Sequence, residues 1–240
     1  MINFTFKNNS GTEFNSLYDF GIYLSERPTL PRAERNFKFT EVEGKNGTST
    51  IDLKTYKDIE ISLSCFVLNS DITNNINDRL NSWLNGEGGI LTFSFLFDKY
   101  IKVKQVKGYK VKESSGILGE FEVTFICEPF KFLTNGENTI TITQPTSIFN
   151  EGTFESQPII KVYGGGNITL TINNKNVILT AIDQSITLDC EIEHAYKDLV
   201  VNAQNIKMQG EFPIFNEGQN IISWVGNVNK IEVIPKWRCL

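Results

Sequence analysis

Few side chains in this sequence could perform acid–base or covalent chemistry, and they do not cluster. His194 is the single histidine among 240 residues, so a histidine-activated nucleophile or a histidine metal site would have to be built around it. No serine lies in a Gly-x-Ser-x-Gly sequence of the kind that holds a hydrolase nucleophile. The four cysteines are widely spaced and form no Cys-x-x-Cys pair: Cys65, Cys127, Cys190 and Cys239. This spacing excludes a zinc knuckle or a disulfide scaffold and predicts buried free thiols in a reducing compartment.

Paired carboxylates are the remaining candidates for catalysis. Glu41 and Glu43 are two residues apart, as are Glu191 and Glu193, and two carboxylates on one strand face could cleave a glycosidic bond. Such pairs are more often the solvated face of an alternating strand, and nothing in the sequence indicates that either pair is desolvated. We therefore expect a protein that is not an enzyme and that has no metal and no cofactor. A glycoside hydrolase is the weakest alternative.

Two tryptophans near the end of the chain could bind a sugar. Trp224 and Trp237 have the aromatic faces that stack on sugar rings, so a carbohydrate-binding module for host adhesion is the alternative function. The polar residues that hold the sugar in galectin-type sites are missing, because this half of the chain has one histidine, one arginine and no Trp-Glu pair. We expect both tryptophans to pack in a core or between domains.

The charge balance argues against a dedicated nucleic-acid binder. The net charge is −5, the isoelectric point is near 5.1, and 40% of the residues are apolar, whereas nucleic-acid binders normally carry a basic excess. The lysine-rich segment from Tyr100 to Lys112 alternates Lys102 and Lys104 with apolar residues. It predicts an edge strand that its lysines keep soluble. No apolar run reaches the length of a membrane-spanning helix, and the start of the chain does not resemble a signal peptide.

Alternation with period two dominates the chain and predicts a mainly β protein. Apolar residues recur with helical spacing only between Asp71 and Gly86. Asp71 is a good N-cap and Gly86 suits the left-handed position after a helix. This pattern predicts one amphipathic helix over about residues 71–85, packed on a sheet through Trp83.

A change in composition after Pro129 predicts two domains, residues 1–132 and residues 133–240. The polar segment Thr134–Asn138 is the expected linker. The second half contains only short alternating runs separated by turn residues, which predicts an antiparallel β-sandwich. Gly164–Gly166 could cradle a phosphate, but no helical pattern follows it, so we expect a turn between strands.

One hairpin of the second half is specific enough to predict its register. If Asn174 and Lys175 form the turn, Ile172 pairs with Val177 and Leu170 with Leu179. The apolar side chains then share one face, and asparagine tolerates the positive φ that such a turn requires.

The segment Val42–Gly47 predicts a hairpin that projects from the first domain. Lys45, Asn46 and Gly47 form its tip, Gly47 supplies a left-handed residue, and Gly44 allows another backbone to come close. A projecting hairpin with polar sides has little reason to be ordered unless another chain receives it. The alternative is an ordinary surface loop.

Taken in order, a set of short motifs resembles the distal tail proteins of siphophages over essentially the whole chain. In the first half these are Ile2-x-Phe4-x-Phe6, Arg27-Pro28-x-x-Pro31, Val42-x-Gly44-Lys45-Asn46-Gly47, Trp83-Leu84 and Phe125-x-Cys127-x-Pro129-Phe130. In the second half they are Asn150–Thr153, Pro158–Gly164, Gly210–Pro213, Gly218–Trp224 and Pro235–Arg238.

The resemblance implies an architecture and a set of partners. The N-terminal domain would be an α+β ring domain with one helix and a belt hairpin, made by Val42, Gly44, Lys45, Asn46 and Gly47, and the C-terminal domain an antiparallel, galectin-like β-sandwich. Six copies would form a hub ring that joins the tail tube to the tail-fibre or tail-associated lysin protein and, in baseplate phages, carries receptor-binding proteins.

The resemblance also implies where the protein would be found and what it would lack. It would lie in the virion at the tail tip, and in the host cytoplasm during assembly, without membrane insertion. Its channel would pass the genome without reading sequence. The short chain has no room for an inserted carbohydrate-binding module.

Overall fold

The computed structural model describes residues 1–67, 74–108, 110–114 and 118–240. The chain divides into two compact units, one of Met1–Lys131 with Leu240 and one of Phe132–Cys239. Both units are mainly β, and every strand pair whose register the structure describes is antiparallel, which confirms the predicted fold class. Among the described residues, no helix is both long and apolar enough to cross a membrane.

The first unit is built on one large sheet. In chain order its strands are β1 (Phe4–Asn8), β2 (Glu13–Asn15), β3 (Ile22–Leu24), β4 (Arg35–Glu41), β5 (Thr48–Tyr56), β6 (Ile59–Val67), β7 (Gly89–Phe93), β8 (Lys99–Val106), β9 (Lys110–Ser114) and β10 (Leu118–Leu133). Its helices are α1 (Ser16–Phe20) and α2 (Asn74–Trp83). The hydrogen-bonded order is β2-β1-β7-β8-β10-β6-β3, β9 also pairs with β10, and β4 and β5 form a separate two-stranded sheet.

Trp83 is the centre of the first core. Its indole ring stacks on Phe4 at 5.4 Å and on Phe20 at 5.0 Å between centroids, and its Nε1–H donates to the carbonyl oxygen of Phe6 at 2.7 Å. Because β1 alternates, Phe4 and Phe6 both point into this core. The predicted packing of α2 through Trp83 is therefore confirmed.

The helix ends two residues earlier than predicted, because α2 spans Asn74–Trp83 within the described residues. The predicted start and the expected N-cap Asp71 lie outside the described residues. Gly86 has the predicted left-handed backbone, with φ of 92°.

A second helix, α1, was not predicted. It has only five residues, too few to show helical spacing. The Asn15 side chain caps it by accepting the amides of Leu17 and Tyr18.

The first part of the lysine-rich segment, with Lys102 and Lys104, is not an edge strand, which corrects the prediction for this part. β8 lies between β7 and β10 in the sheet, with Ile101 and Val103 buried as expected. Its charge is balanced by ion pairs instead, because Lys104 lies 2.7 Å from Asp58. Lys107, directly after the strand, lies 2.6 Å from a carboxylate oxygen of Glu60.

The second unit is one sheet that curls around a single core. Its strands are β11 (Ile140–Ile142), β12 (Thr146–Asn150), β13 (Ile159–Ile172), β14 (Lys175–Ile182), β15 (Ser185–Asp189), β16 (His194–Tyr196), β17 (Met208–Gln209) and β18 (Gly218–Ile234). A short strand, β19 (Arg238–Cys239), follows and is not part of this sheet. The long strands β13 and β18 pair with each other along their length. β13 pairs β15 with its first half and β14 with its second half, and residues of both halves share one buried cluster.

Two predicted connections of the second unit need correction. Gly164–Gly166 lies inside β13 at an irregular part of its pairing, not between strands. A Cβ on Gly164 would lie 2.1 Å from the carbonyl oxygen of Asn227, so glycine permits close strand contact there. Thr134–Glu137 is a 3₁₀ helix rather than a free linker, and the carbonyl of its buried Gly136 accepts the amide of Lys236 at 2.8 Å.

The β13–β14 hairpin is shifted by two residues from the predicted register. Leu170 pairs with Val177, and the turn residues are Asn173 and Asn174, with φ of 50° and 65°. A type I′ turn needs two positive φ angles, and the two asparagines provide them. The predicted turn would have required a positive φ at Lys175. A shift of two residues keeps the same side chains on the core face.

Candidate assembly surface

The β4–β5 hairpin, residues 35–56, which we call the arm, packs against the first core only at its base, through Tyr56. Its strands pair from Glu41 with Thr48 to Arg35 with Tyr56. At its base the amide of Lys57 donates to the carbonyl of Glu34 at 2.9 Å. None of the arm residues is buried in the protomer.

The base of the arm is fixed by a two-point ion pair. Arg35 donates to both carboxylate oxygens of Asp52, at 2.9 Å from Nε and 2.7 Å from Nη2, and Asp52 also accepts the amide of Lys54 at 2.9 Å. These hydrogen bonds, led by that from Arg35, lower the pKa of Asp52. The hydrogen bond from the Lys54 amide to Asp52 also supports the left-handed backbone at Lys54, whose φ is 56°. The pair is exposed and joins two residues of the arm, so it orders the base of the hairpin and adds little to the stability of the protomer.

The predicted belt residues lie at the tip of the arm, between the two strands. The amide of Lys45 donates to the carbonyl of Val42 at 3.1 Å, and Gly44 between them has φ of 79°, as the third residue of a type II turn requires. Gly47 is also left-handed, with φ of 78°, and Asn46 is exposed beside it. Within the described chain no atom lies within 4 Å of a Cβ built on Gly44, so glycine serves the turn here and not a close contact.

Both sides of the arm carry exposed apolar side chains among polar ones, which corrects the expectation of polar sides. Five large apolar side chains of the arm are exposed in the protomer: Phe37 (45%), Phe39 (64%), Val42 (47%), Ile51 (51%) and Leu53 (50%). The sequence shows Phe-x-Phe and Ile-x-Leu alternation at these positions. That pattern is typical of any half-buried strand, so it does not separate a core strand from an assembly surface.

The candidate catalytic residues of the second unit, His194, Glu191 and Glu193, do not form a catalytic arrangement with one another. His194 Nε2 lies 2.9 Å from the carbonyl oxygen of Val200, and His194 Nδ1 lies 3.2 Å from the side-chain nitrogen of Asn205, so both ring nitrogens are engaged within the unit. Glu191 and Glu193 lie in an exposed turn, not on a strand face as predicted. Among the residues that the structure describes, no three His, Cys, Asp or Glu side chains gather closely enough to hold a metal ion.

The tryptophans proposed for sugar stacking face inward. Trp237 is 3% exposed and packs on Phe215, with 5.7 Å between ring centroids. Trp224 is half-buried and packs against the same core. A stacking site needs an exposed ring face, so this placement speaks against Trp237 as a sugar contact.

All four cysteines are free and buried. Burial raises the pKa of the Cys65 and Cys127 thiols to about 12 and raises that of Cys190 as well. These three groups stay protonated at neutral pH and are therefore poor nucleophiles.

Comparison with known proteins finds a similarity to phage tail proteins in sequence and in fold. Residues 9–127 match the family model described as the phage tail protein RIFT-related domain, and this range includes the arm. No curated protein gives a significant match. The fold is similar to the crystal structure of the Dit protein of phage SPP1, described as a paradigm of the hub adsorption apparatus in phages that infect Gram-positive hosts. The TM-score is 0.72 over 97% of this chain and 98% of that chain, at 13% sequence identity.

The family match and the shared fold are independent of each other and agree. The first covers the arm and the Trp83 core, and the second extends the similarity through the curled sheet of the second unit. Residues 9–127 thus carry a phage tail protein RIFT-related domain, and the chain as a whole has the fold of the SPP1 Dit protein.

Proposed function

We propose that this chain is a structural, non-catalytic hub protein of the phage tail tip, and that six copies close into a ring through their arms. Residues 1–132 would form the ring, with Val42, Gly44, Lys45, Asn46 and Gly47 at the tip of the belt. Residues 133–240 would decorate it as a galectin-like β-sandwich. The observation that carries the proposal is the arm, an ordered two-stranded sheet with exposed apolar side chains and no buried residue.

An isolated two-stranded hairpin is only marginally stable in water. Its exposed apolar groups therefore call for a partner surface, and a second copy of the chain is the partner present whenever the protein is made. Head-to-tail contacts of this kind give closed rings when the rotation between copies is a whole fraction of a turn. Obligate interfaces of such rings commonly bury more than about 2,000 Å² and are largely apolar.

The proposed ring joins other components of the tail. We propose the tail-tube protein on one side and the tail-fibre or tail-associated lysin protein on the other, with receptor-binding proteins as a further partner in phages that have a baseplate. The protein would then reside in the virion, after assembly in the host cytoplasm. The similarity to the SPP1 protein, itself described as part of a hub adsorption apparatus, supports this placement.

The ring is tested by replacing residues 42–47 with a two-residue turn in the full chain. Size-exclusion chromatography with light scattering should give a hexamer mass for the native chain and a monomer mass for the variant, and negative-stain microscopy should show rings only for the first. Circular dichroism checks that the variant keeps its β structure. Ile206→Ser is the matched control, because it removes a side chain that is 96% exposed outside the arm.

Two results would overturn the proposal. The first is a native chain that stays monomeric at high concentration. The second is a folded tip variant that still sediments as a ring, which would show that the arm does not hold the ring together.

A further inference from the structure

The arm has two different apolar faces. Cross-strand partners share a face of a sheet, and Phe37 pairs with Asp52 while Phe39 pairs with Thr50. The two phenylalanine rings therefore lie on one face, 6.4 Å apart between centroids. We call this the aromatic face, defined by Phe37 and Phe39.

The opposite face is aliphatic. Lys38 pairs with Ile51, so both lie on the side away from the phenylalanines, and Leu53 follows Ile51 by two residues along the pleat. We call this the aliphatic face, defined by Ile51 and Leu53. About half of each of these two side chains is exposed, a fraction similar to that on the aromatic face.

Equal exposure on both faces distinguishes the arm from an ordinary surface hairpin. An antiparallel sheet that lies on a partner through one face normally turns polar side chains to water on the other. In the arm each face carries two exposed apolar side chains beside its polar residues. A contact that covered only the aromatic face would leave Ile51 and Leu53 in water, and the reverse contact would leave both phenylalanines there.

We propose that both faces of the arm are covered in the assembled protein, the aromatic face and the aliphatic face each by a surface of another copy of this chain. The arm then lies in a slot between protein surfaces, not on top of one. This inference rests on the proposed ring and adds which residues enter each contact.

The charges of the chain favour another copy as the occupant on both sides. The arm carries four basic and three acidic residues, a net charge of +1, while the rest of the chain has a net charge of −6. Lys38 projects from the aliphatic face, and within the part of the chain that the structure describes it forms no ion pair. An acidic surface of a neighbouring copy can accept this lysine beside Ile51.

The first test compares two double variants in the full chain. Phe37→Ser with Phe39→Ser removes the aromatic face, and Ile51→Ser with Leu53→Ser removes the aliphatic face. Thr50→Ser and Thr40→Ser are matched controls on the arm. Light scattering across a concentration series should show that each double variant needs at least about 100-fold more protein to assemble, whereas each control stays within about threefold.

The outcomes separate this inference from the proposed function. If the aliphatic variant assembles like its control while the aromatic variant does not, the arm has one covered face and the inference is wrong, although the ring stands. If neither double variant differs from the controls, the inference and the role of the arm in the ring both fail.

A second measurement does not depend on how well the double variants fold. Phe39→Cys and Leu53→Cys each place one thiol on a face, and the native thiols are buried, so they add little background. N-ethylmaleimide should modify both introduced thiols rapidly in dilute protomer and at least about tenfold more slowly after assembly. Ile206→Cys is the exposed control and should stay fast. A Leu53→Cys thiol that stays fast in the assembled protein would overturn the inference.

Discussion

Truncation of Phe39 gives the most direct test of the proposed contribution of the arm to assembly. Phe39 is 64% exposed in the protomer. A phenylalanine presents roughly 200 Å², so about 130 Å² of this side chain is available for burial against a partner. At about 25 cal/mol per Å², its complete burial stabilises one contact by about 3 kcal/mol.

Phe39→Ala keeps one methyl group, so we expect it to weaken each contact by about 2.5 kcal/mol, which corresponds to a roughly 70-fold higher dissociation constant. Sedimentation velocity across a dilution series measures this constant. Because the side chain touches no core in the protomer, the unfolding midpoint of the dilute protein should stay the same. Ile206→Ala removes an exposed apolar side chain from the second unit and should leave assembly unchanged.

The result that would refute this reasoning is a Phe39→Ala protein that assembles as the Ile206→Ala protein does. In that case the exposed phenylalanine does not enter the contact. A variant that loses assembly and also unfolds earlier would instead show that Phe39 supports the fold of the protomer.

Three further predictions concern the fold and the base of the arm. Trp83→Phe removes the hydrogen bond to the Phe6 carbonyl and leaves a cavity on the order of 35 Å³. Urea unfolding followed by circular dichroism should show that the free energy of unfolding falls by about 2 to 3 kcal/mol. A fall of less than about 1 kcal/mol would contradict the central role of this ring. Gly136→Ala places a Cβ at 2.5 Å from the backbone nitrogen of Trp237 and should destabilise the second unit by about 1 to 3 kcal/mol in the same assay. An unchanged urea midpoint would mean that the 3₁₀ turn moves to make room for the methyl group. Asp52 has a lowered pKa, so the order that its ion pair gives to the arm is fully present above the ordinary carboxyl pKa of about 3.9 and is lost as the pH falls through the lowered value. Carboxyl carbon NMR should show that the titration midpoint of Asp52 rises in Arg35→Gln. An unchanged midpoint would exclude the ion pair as the cause of the lowered pKa.

The parts of the fold that follow from local pattern could be predicted from the sequence. Alternation at Phe4 and Phe6 fixes which face of β1 meets the core, and the helical stripe ending at Trp83 fixes which face of α2 meets the sheet. Glycines at positions 44 and 47 fix the tip of the arm, because both need a left-handed backbone. In each case the residues that decide the structure are neighbours along the chain.

The parts that depend on distant residues could not be predicted. α1 forms because Asn15 caps it and Phe20 stacks on Trp83, and neither contact is visible in a five-residue stretch. The place of β8 inside the sheet depends on which strands pair with it, and lysines on an inner strand look like lysines on an edge strand when only their spacing is known.

The apolar faces of the arm were missed for a related reason. Ile51 and Leu53 alternate with polar residues just as the core strand residues Ile59 and Ile61 do. Only the three-dimensional structure shows that the second pair is buried and the first is exposed. Sequence periodicity predicts that a strand has an apolar side. It does not predict whether the core of the same chain or another molecule covers that side.

The burial of all four cysteine thiols affects how well the assembled particle would resist oxidation. A virion protein is made inside a cell and then persists in oxygenated surroundings, where an accessible thiolate can be oxidised or can link to a neighbour. Cys65 and Cys127 are sealed in one unit, and Cys190 and Cys239 in the other. Release from the host would thus leave these four thiols unoxidised, and no disulfide would link the copies of the proposed ring.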